Sequence, residues 1–136
     1  MKETEKAYLA GLIDGEGCIT LTVSKKGQLP QPQLSISNKN LEVLRWVRQQ
    51  TGYGSLITKK PYKANHSITY AWQINCVGRV TQVLSSVCKY LIIKKRHAKL
   101  IMLEYPKCTP RNGRYSSKQL FEKVKLVHEF RKLNQR

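Results

Sequence analysis

Ala7-Tyr8-Leu9-Ala10-Gly11-Leu12-Ile13-Asp14-Gly15-Glu16-Gly17 is the stretch on which the reading of this chain turns. With Thr4 as N-cap, it predicts a helix over Thr4–Asp14. The block Ala7–Ile13 is apolar or glycine on every face, so the helix is expected to be buried all round. Gly11 sits mid-helix, where glycine costs about 1 kcal/mol relative to alanine, and something must offset that cost. Ala7, Gly11 and Gly15 recur every four residues and share one face, where a second backbone can approach closely. A close helix partner is implied. Beyond that face, Asp14 and Glu16 alternate with Gly15 and Gly17. If the partner is the same helix of a two-fold-related copy, both sets of carboxylates meet near the axis and require a cation between them. Hard oxygen ligands of this kind suit Mg²⁺.

Outward from the helix, Cys18, Thr20 and Thr22 alternate with Ile19, Leu21 and Val23, the period of a strand with one wet and one core face. Lys25–Gln28 supplies a turn, and a return strand carries Gln31, Gln33, Ser35 and Ser37 opposite Leu34 and Ile36. Pro30 and Pro32 restrict that strand's start to an edge or irregular entry. A helix then runs from Asn38 or Asn40 through Leu41, Leu44, Trp46 and Val47 to Thr51-Gly52, with its apolar stripe on the sheet. Tyr53–Lys60 and Ile68–Cys76 form a second strand pair around a Pro61–Ser67 loop. Helical spacing returns at Val80, Val83, Leu84 and Val87, and again at Ala98, Leu100, Ile101 and Leu103 before Pro106. After a basic loop, Ser117 opens a last amphipathic helix through Phe121, Val124, Val127 and Phe130. The order predicts one α+β domain over residues 1–136, with an antiparallel sheet covered by helices on one face.

Composition narrows the partner. The 136 residues include 25 Lys and Arg against 8 Asp and Glu, a net charge of +17 without a separate basic tail. The folded domain itself is therefore expected to meet a polyanion. No segment has the apolar run of a membrane span, and no helix has a clean basic face, so nucleic acid is preferred to a membrane. Met1–Lys6 is charged and leads straight into the first helix, which predicts an intracellular protein without a secretory signal. Cys18, Cys76, Cys88 and Cys108 lack metal-ligand spacing and are expected to be reduced and in or near the core.

Leu9-Ala10-Gly11-Leu12-Ile13-Asp14-Gly15-Glu16-Gly17 resembles the motif of the LAGLIDADG homing endonucleases, departing only by glycine and glutamate at its seventh and eighth positions. The element order is similar over nearly the whole chain. The resemblance implies the family's αββαββα domain, with a saddle-shaped sheet straddling the DNA major groove and extra C-terminal helices. With one motif per chain it implies the homodimeric type, joined by motif helices through Ala7, Gly11, Asp14 and Gly15. The eighth-position acid, here Glu16, would bind catalytic Mg²⁺ with the Gly15 backbone nearby, while Asp14 holds the helix end and interface. By the same resemblance Asn38, at the end of the second strand, lies near the cleavage site, although alone it reads equally as a helix N-cap. Lys94 would organise solvent at the scissile phosphate, with Lys95 the alternative if the register slips by one.

Thr20, Thr22, Ser24, Lys26, Gln31, Gln33, Ser35, Lys59 and Gln73 make the expected DNA-contacting set, since amides and hydroxyls on strands can meet base edges. Tyr70, Trp72 and Ile74 are expected to pack under the sheet, and His66, His97 and His128 need no catalytic part. The expected function is metal-dependent cleavage of both strands of a long, roughly palindromic DNA site by an intron-encoded enzyme, in an organelle or prokaryotic cytoplasm. The alternative is an RNA-binding splicing maturase, with intron RNA as partner, or a DNA-binding relative that has lost cleavage. A basic structural domain would explain the charge but not Leu9–Gly17.

Overall fold

A computed structural model describes residues 1–23, 26–60 and 67–135. The order is α1 (Glu3–Glu16), β1 (Gly17–Thr22), β2 (Gln31–Asn38), α2 (Leu41–Thr51), β3 (Ser55–Lys59), β4 (Thr69–Ile74), α3 (Val77–Val87), α4 (Lys95–Lys99) and α5 (Ser117–Asn134). The strands form an antiparallel sheet in the order β1-β2-β4-β3, and the architecture is the α+β arrangement read from the sequence. Pro32 lies in the part of β2 that pairs only with β1, opposite Leu21, because pairing with β4 begins at Leu34. The proline thus avoids the doubly paired stretch, where its missing N–H would break a ladder.

One face of the sheet carries the core. Ile19, Leu34, Ile36, Trp72 and Ile74 meet Leu9, Ala10 and Ile13 of α1, Leu44 and Val47 of α2, and Val80, Val83, Leu84 and Val87 of α3 in one buried cluster. Trp72 and Ile74 lie under the sheet as expected, and Tyr70 is half-buried. Asn40 caps α2 by accepting from Glu42 N and Val43 N, so the capping role that Asn38 shared in the sequence reading belongs to Asn40 alone. Gly52 ends α2 in the left-handed conformation, with φ of 77°. At Gly54, φ is +110°, and an added Cβ would lie 2.1 Å from Trp72 Nε1; only glycine admits both the conformation and the indole beneath it.

Several expectations are corrected. Helix α1 begins after Lys2 rather than Thr4, because the Lys2 backbone N–H donates to Glu5 Oε1 at 2.8 Å, and it continues to Glu16. Within a single chain it is buried on one side: Leu9, Ala10 and Ile13 are inside, while Ala7, Tyr8, Gly11 and Gly15 are exposed. Only Cys108 is buried; Cys18 alternates with Ile19 onto the open face of the sheet, and Cys76 stands exposed at the start of α3. All four thiols are free. Val23 is exposed, beyond the last residue of β1.

The region after α3 departs further. The chain passes a 3-10 turn at Cys88–Tyr90, the short helix α4, a π-helical segment at Leu100–Glu104 and a 3-10 turn at Pro106–Cys108. Across this segment Tyr105 is buried, four residues after Ile101 and seven after Ala98 on the same face, while Leu103 lies off that face at the surface. Helix α5, capped by Ser116, turns Lys123, Leu126 and Phe130 to the core and leaves Phe121 and Val124 exposed, the reverse of the sequence expectation for two positions. The helix has apolar residues on two faces. Contacts with the segment before it select one: Lys123 Nζ donates to Thr109 Oγ1 and lies over the ring of Tyr105, and Phe130 meets His97 edge-on.

Candidate active site

The site is assembled at the C-terminal end of α1. Helix and first strand are contiguous there, Glu16 closing α1 and Gly17 opening β1. The turn is tight: a Cβ on Gly17 would lie 2.7 Å from both Ile13 Cα and Ile13 O. Because Gly17 pairs with Ile36, β2 ends beside the start of β1 and brings Asn38 to Glu16. Asn38 Nδ2 donates to Glu16 Oε2 at 2.5 Å. Its other amide atom, Oδ1, accepts from Asn40 N at 2.8 Å, so the side chain is oriented from both ends. Glu16 is exposed.

From the other side comes the turn before α4. Asp14 Oδ2 accepts from Ile92 N at 2.7 Å and Oδ1 from Lys94 N at 3.0 Å. Lys94 Nζ donates to the Asp14 carbonyl at 2.8 Å, placing its ammonium at the negative end of the α1 dipole. The structure thus brings Glu16, Asn38, Asp14 and Lys94 to one helix end. Lys95 is the first residue of α4 and makes none of these contacts.

Of the residues expected at a dimer face, Ala7, Gly11 and Gly15 are exposed on α1, and apart from the helix's own adjacent backbone nothing lies within 4 Å of a Cβ added at Gly11 or Gly15. Asp14 differs from them, being half-buried with its carboxylate engaged inside its own chain. The open sheet face gathers Thr20, Thr22, Gln31, Gln33, Ser35, Lys59 and Gln73, since strand alternation and the pairings Thr20–Gln33, Thr22–Gln31, Cys18–Ser35 and Ser35–Gln73 put them on one side. Lys26 lies in the β1–β2 turn, and Ser24 lies outside the described residues. The expected DNA-contacting set left out Cys18, Ser37, Ser55 and Thr69, the last opposite Lys59, which also lie on this face. Cys18 and Ser55 share the row of Ser35 and Gln73, and Ser37 accepts from Lys59 Nζ at 2.9 Å. Alternation already placed Cys18 and Ser37 there, whereas Ser55 needed the β3–β4 register.

His97 is buried against Phe130, and burial pulls its imidazole below the ordinary histidine range, with a hydrogen bond to Asn134 opposing. It is a packing residue.

As a metal site, this helix end is incomplete by itself. Among the described residues no group of three or more His, Cys, Asp or Glu could hold an ion. Both Asp14 oxygens accept main-chain amides, which leaves Glu16, with one oxygen bound to Asn38, as the carboxylate available at this end. The donor chemistry fits a hard divalent cation, but a full shell requires a second copy of this helix end, backbone carbonyls or phosphate oxygens.

Residues 9–106 match the sequence model of the family described as LAGLIDADG endonuclease. The chain belongs to that family. Among solved structures it is similar to the homing endonuclease I-CvuI in complex with its target, at 21% identity and a TM-score of 0.78, covering 98% of this chain and 83% of that one. The archaeal intron-encoded homing endonuclease I-Vdi141I, complexed with DNA, matches at 23% identity and a TM-score of 0.78 over 100% of this chain and 87% of the other. The homing endonuclease I-SmaMI, bound to cleaved DNA, matches at 24% identity and a TM-score of 0.64, covering 89% of this chain but 42% of that one. No curated protein sequence matches the chain.

Proposed function

We propose that two copies of this chain form a site-specific nuclease that hydrolyses both strands of a long, roughly palindromic DNA target. The observation that carries this reading is the meeting of Glu16, Asn38 and Lys94 at the end of a helix whose small-residue face is open. Pairing two such faces about a two-fold axis brings two copies of Glu16 together and presents two polar sheets to two half-sites. Support comes from I-CvuI and I-Vdi141I, both solved with DNA, and from I-CvuI structures determined in the presence of Ca, or of Mg with the DNA not cleaved. The coverage of less than half of I-SmaMI fits a single chain that supplies one half of such a site.

Glu16 and the Gly15 backbone carbonyl would hold Mg²⁺, which when bound lowers the pKa of water and offsets charge on the phosphate. Asn38 fixes the carboxylate of Glu16 by donating to one oxygen and leaves the other facing outward. Lys94 places a positive charge beside the same helix end, where it orders solvent and favours the extra negative charge of the phosphate at its transition state. Water is the nucleophile. The sheet's amides and hydroxyls contact base edges, and the surrounding lysines and arginines contact phosphates.

Glu16→Gln tests the assignment, because it keeps shape and removes charge. Single-turnover cleavage in Mg²⁺ should be lost for both strands, while target affinity measured without divalent metal stays intact or improves, since a carboxylate beside phosphate repels it when no metal intervenes. Cleavage at the wild-type rate would sink the metal-site assignment. A wild-type protein that never cuts the DNA flanking its own insertion point, yet binds RNA of a host intron, would replace the nuclease with the maturase reading.

A further inference from the structure

We propose that Asp14 is a positioning residue for Lys94, a role that rests on the nuclease reading above. Three bonds join segments 78 and 80 residues apart: both Asp14 carboxylate oxygens accept main-chain amides of the 92–94 turn, and the Lys94 ammonium returns to the Asp14 carbonyl. Packing alone does not fix this turn. Leu91 before it and His97 and Ala98 after it are buried, but Ile92 is 86% and Ile93 68% exposed. Between those anchors the carboxylate of Asp14 sets where the main chain of Lys94 lies.

The returning bond fastens the other end of the side chain. Asp14 O belongs to the last turn of α1, where carbonyls lack intrahelical donors, and the ammonium satisfies it while opposing the dipole's negative end. Lys94 is thus gripped at both its amide and its ammonium by one residue, two positions before Glu16 in the same helix. Lys94 and Glu16 are carried by one body. Any displacement of the motif helix moves both together and preserves their spacing.

This reading separates Asp14 from the interface role expected from sequence, since both carboxylate oxygens are occupied within the protomer. It also distinguishes Asp14 from a merely stabilising residue, because its loss should act through Lys94. In Asp14→Ala, amide hydrogen exchange at Ile92 and Lys94 should accelerate, and single-turnover cleavage should slow on the order of 10²-fold, the effect of misplacing a reacting group by about 1 Å. DNA affinity in Ca²⁺ should hold. Asp14→Ala combined with Lys94→Met should cut no more slowly than Lys94→Met alone, since the positioned group is already absent. Additive losses, or unchanged cleavage with accelerated exchange, would overturn the proposal. If Asp14→Ala does not fold, Asp14→Asn, nearly isosteric with one acceptor lost, is read by the same exchange and cleavage measurements. If the wild type fails to cut, the nuclease reading falls by itself. Acylation of the Lys94 amine then decides the positioning claim: faster labelling in Asp14→Asn than in wild type supports it, and equal labelling refutes it.

Discussion

Lys123 has no exposed surface, although a lysine in an amphipathic helix reads as a solvated residue. Its ammonium lies 3.4 Å from the centroid of the Tyr105 ring and donates to Thr109, whose own hydroxyl donates to the Tyr105 carbonyl at 2.6 Å. Burial is the main cause that pulls Lys123 down from 10.5 to about 8, with Cys108 opposing. Below that value the folded protein holds a buried charge. Between it and the unfolded value the unfolded chain binds the extra proton, so this group's contribution to stability rises with pH across that window. Lys123→Met should remove the slope: relative to the variant, wild type should gain stability in urea melts between about pH 7 and about pH 10. Tyr105, Tyr115 and Cys108, all pushed up by burial, titrate nearby, and because Cys108 and Lys123 perturb each other the same comparison is repeated in a Cys108→Ala background. Parallel curves would refute the assignment. None of this was legible beforehand, because the partners lie in an irregular loop and helical periodicity ranked Phe121 and Val124 above a lysine for the core.

At the scale of the element, α1 was the most legible part of the chain, since its small residues, acids and terminal glycines follow one another without interruption. What the sequence could not separate is burial by the chain itself from burial by a second copy. The structure shows which residues the chain itself buries, Leu9, Ala10 and Ile13, and leaves Ala7, Gly11 and Gly15 outward. Strand alternation likewise made the residues of the open sheet face readable. The convergence of Asn38 and Lys94 on the end of α1 depends on strand register and a distant turn, and rested on family resemblance alone. The open face gives Gly11→Leu a clean meaning, because apart from the helix's own adjacent backbone nothing lies within 4 Å of an added Cβ in the protomer. The variant should fold with unchanged or slightly raised helix stability, as glycine costs about 1 kcal/mol in a helix, yet associate more weakly because leucine overpacks the crossing. Sedimentation and thermal melting check it together. A variant that sediments as wild type while melting normally would remove α1 from the interface, and a wild type monomeric with and without DNA would remove the two-fold site.

For the whole molecule, a net charge of +17 is spread along the chain, which suits a folded surface to a polyanion. The open sheet face divides the labour. Gln33, half-buried and paired across from Thr20, offers an amide that can donate and accept at a base edge, whereas Lys59 is exposed and holds its ammonium at Ser37 as a point charge. These chemistries differ in how they respond to salt and sequence. Phosphate contacts release counterions, so affinity should fall by ~10³ or more between about 50 and 200 mM salt if roughly six to ten phosphates are met. Lys59→Ala should weaken binding by a similar factor on every sequence and lower the salt slope by about one contact. Gln33→Ala should leave the slope unchanged and instead narrow the gap between the target and a half-site altered at one base pair, by about 1–3 kcal/mol at that position. Fluorescence titrations at several salt concentrations, against the target and single-base variants of it, measure both quantities at once. A flat salt dependence would contradict electrostatic engagement of DNA, and a Gln33→Ala protein with undiminished discrimination would show that the sheet face does not read sequence through this residue.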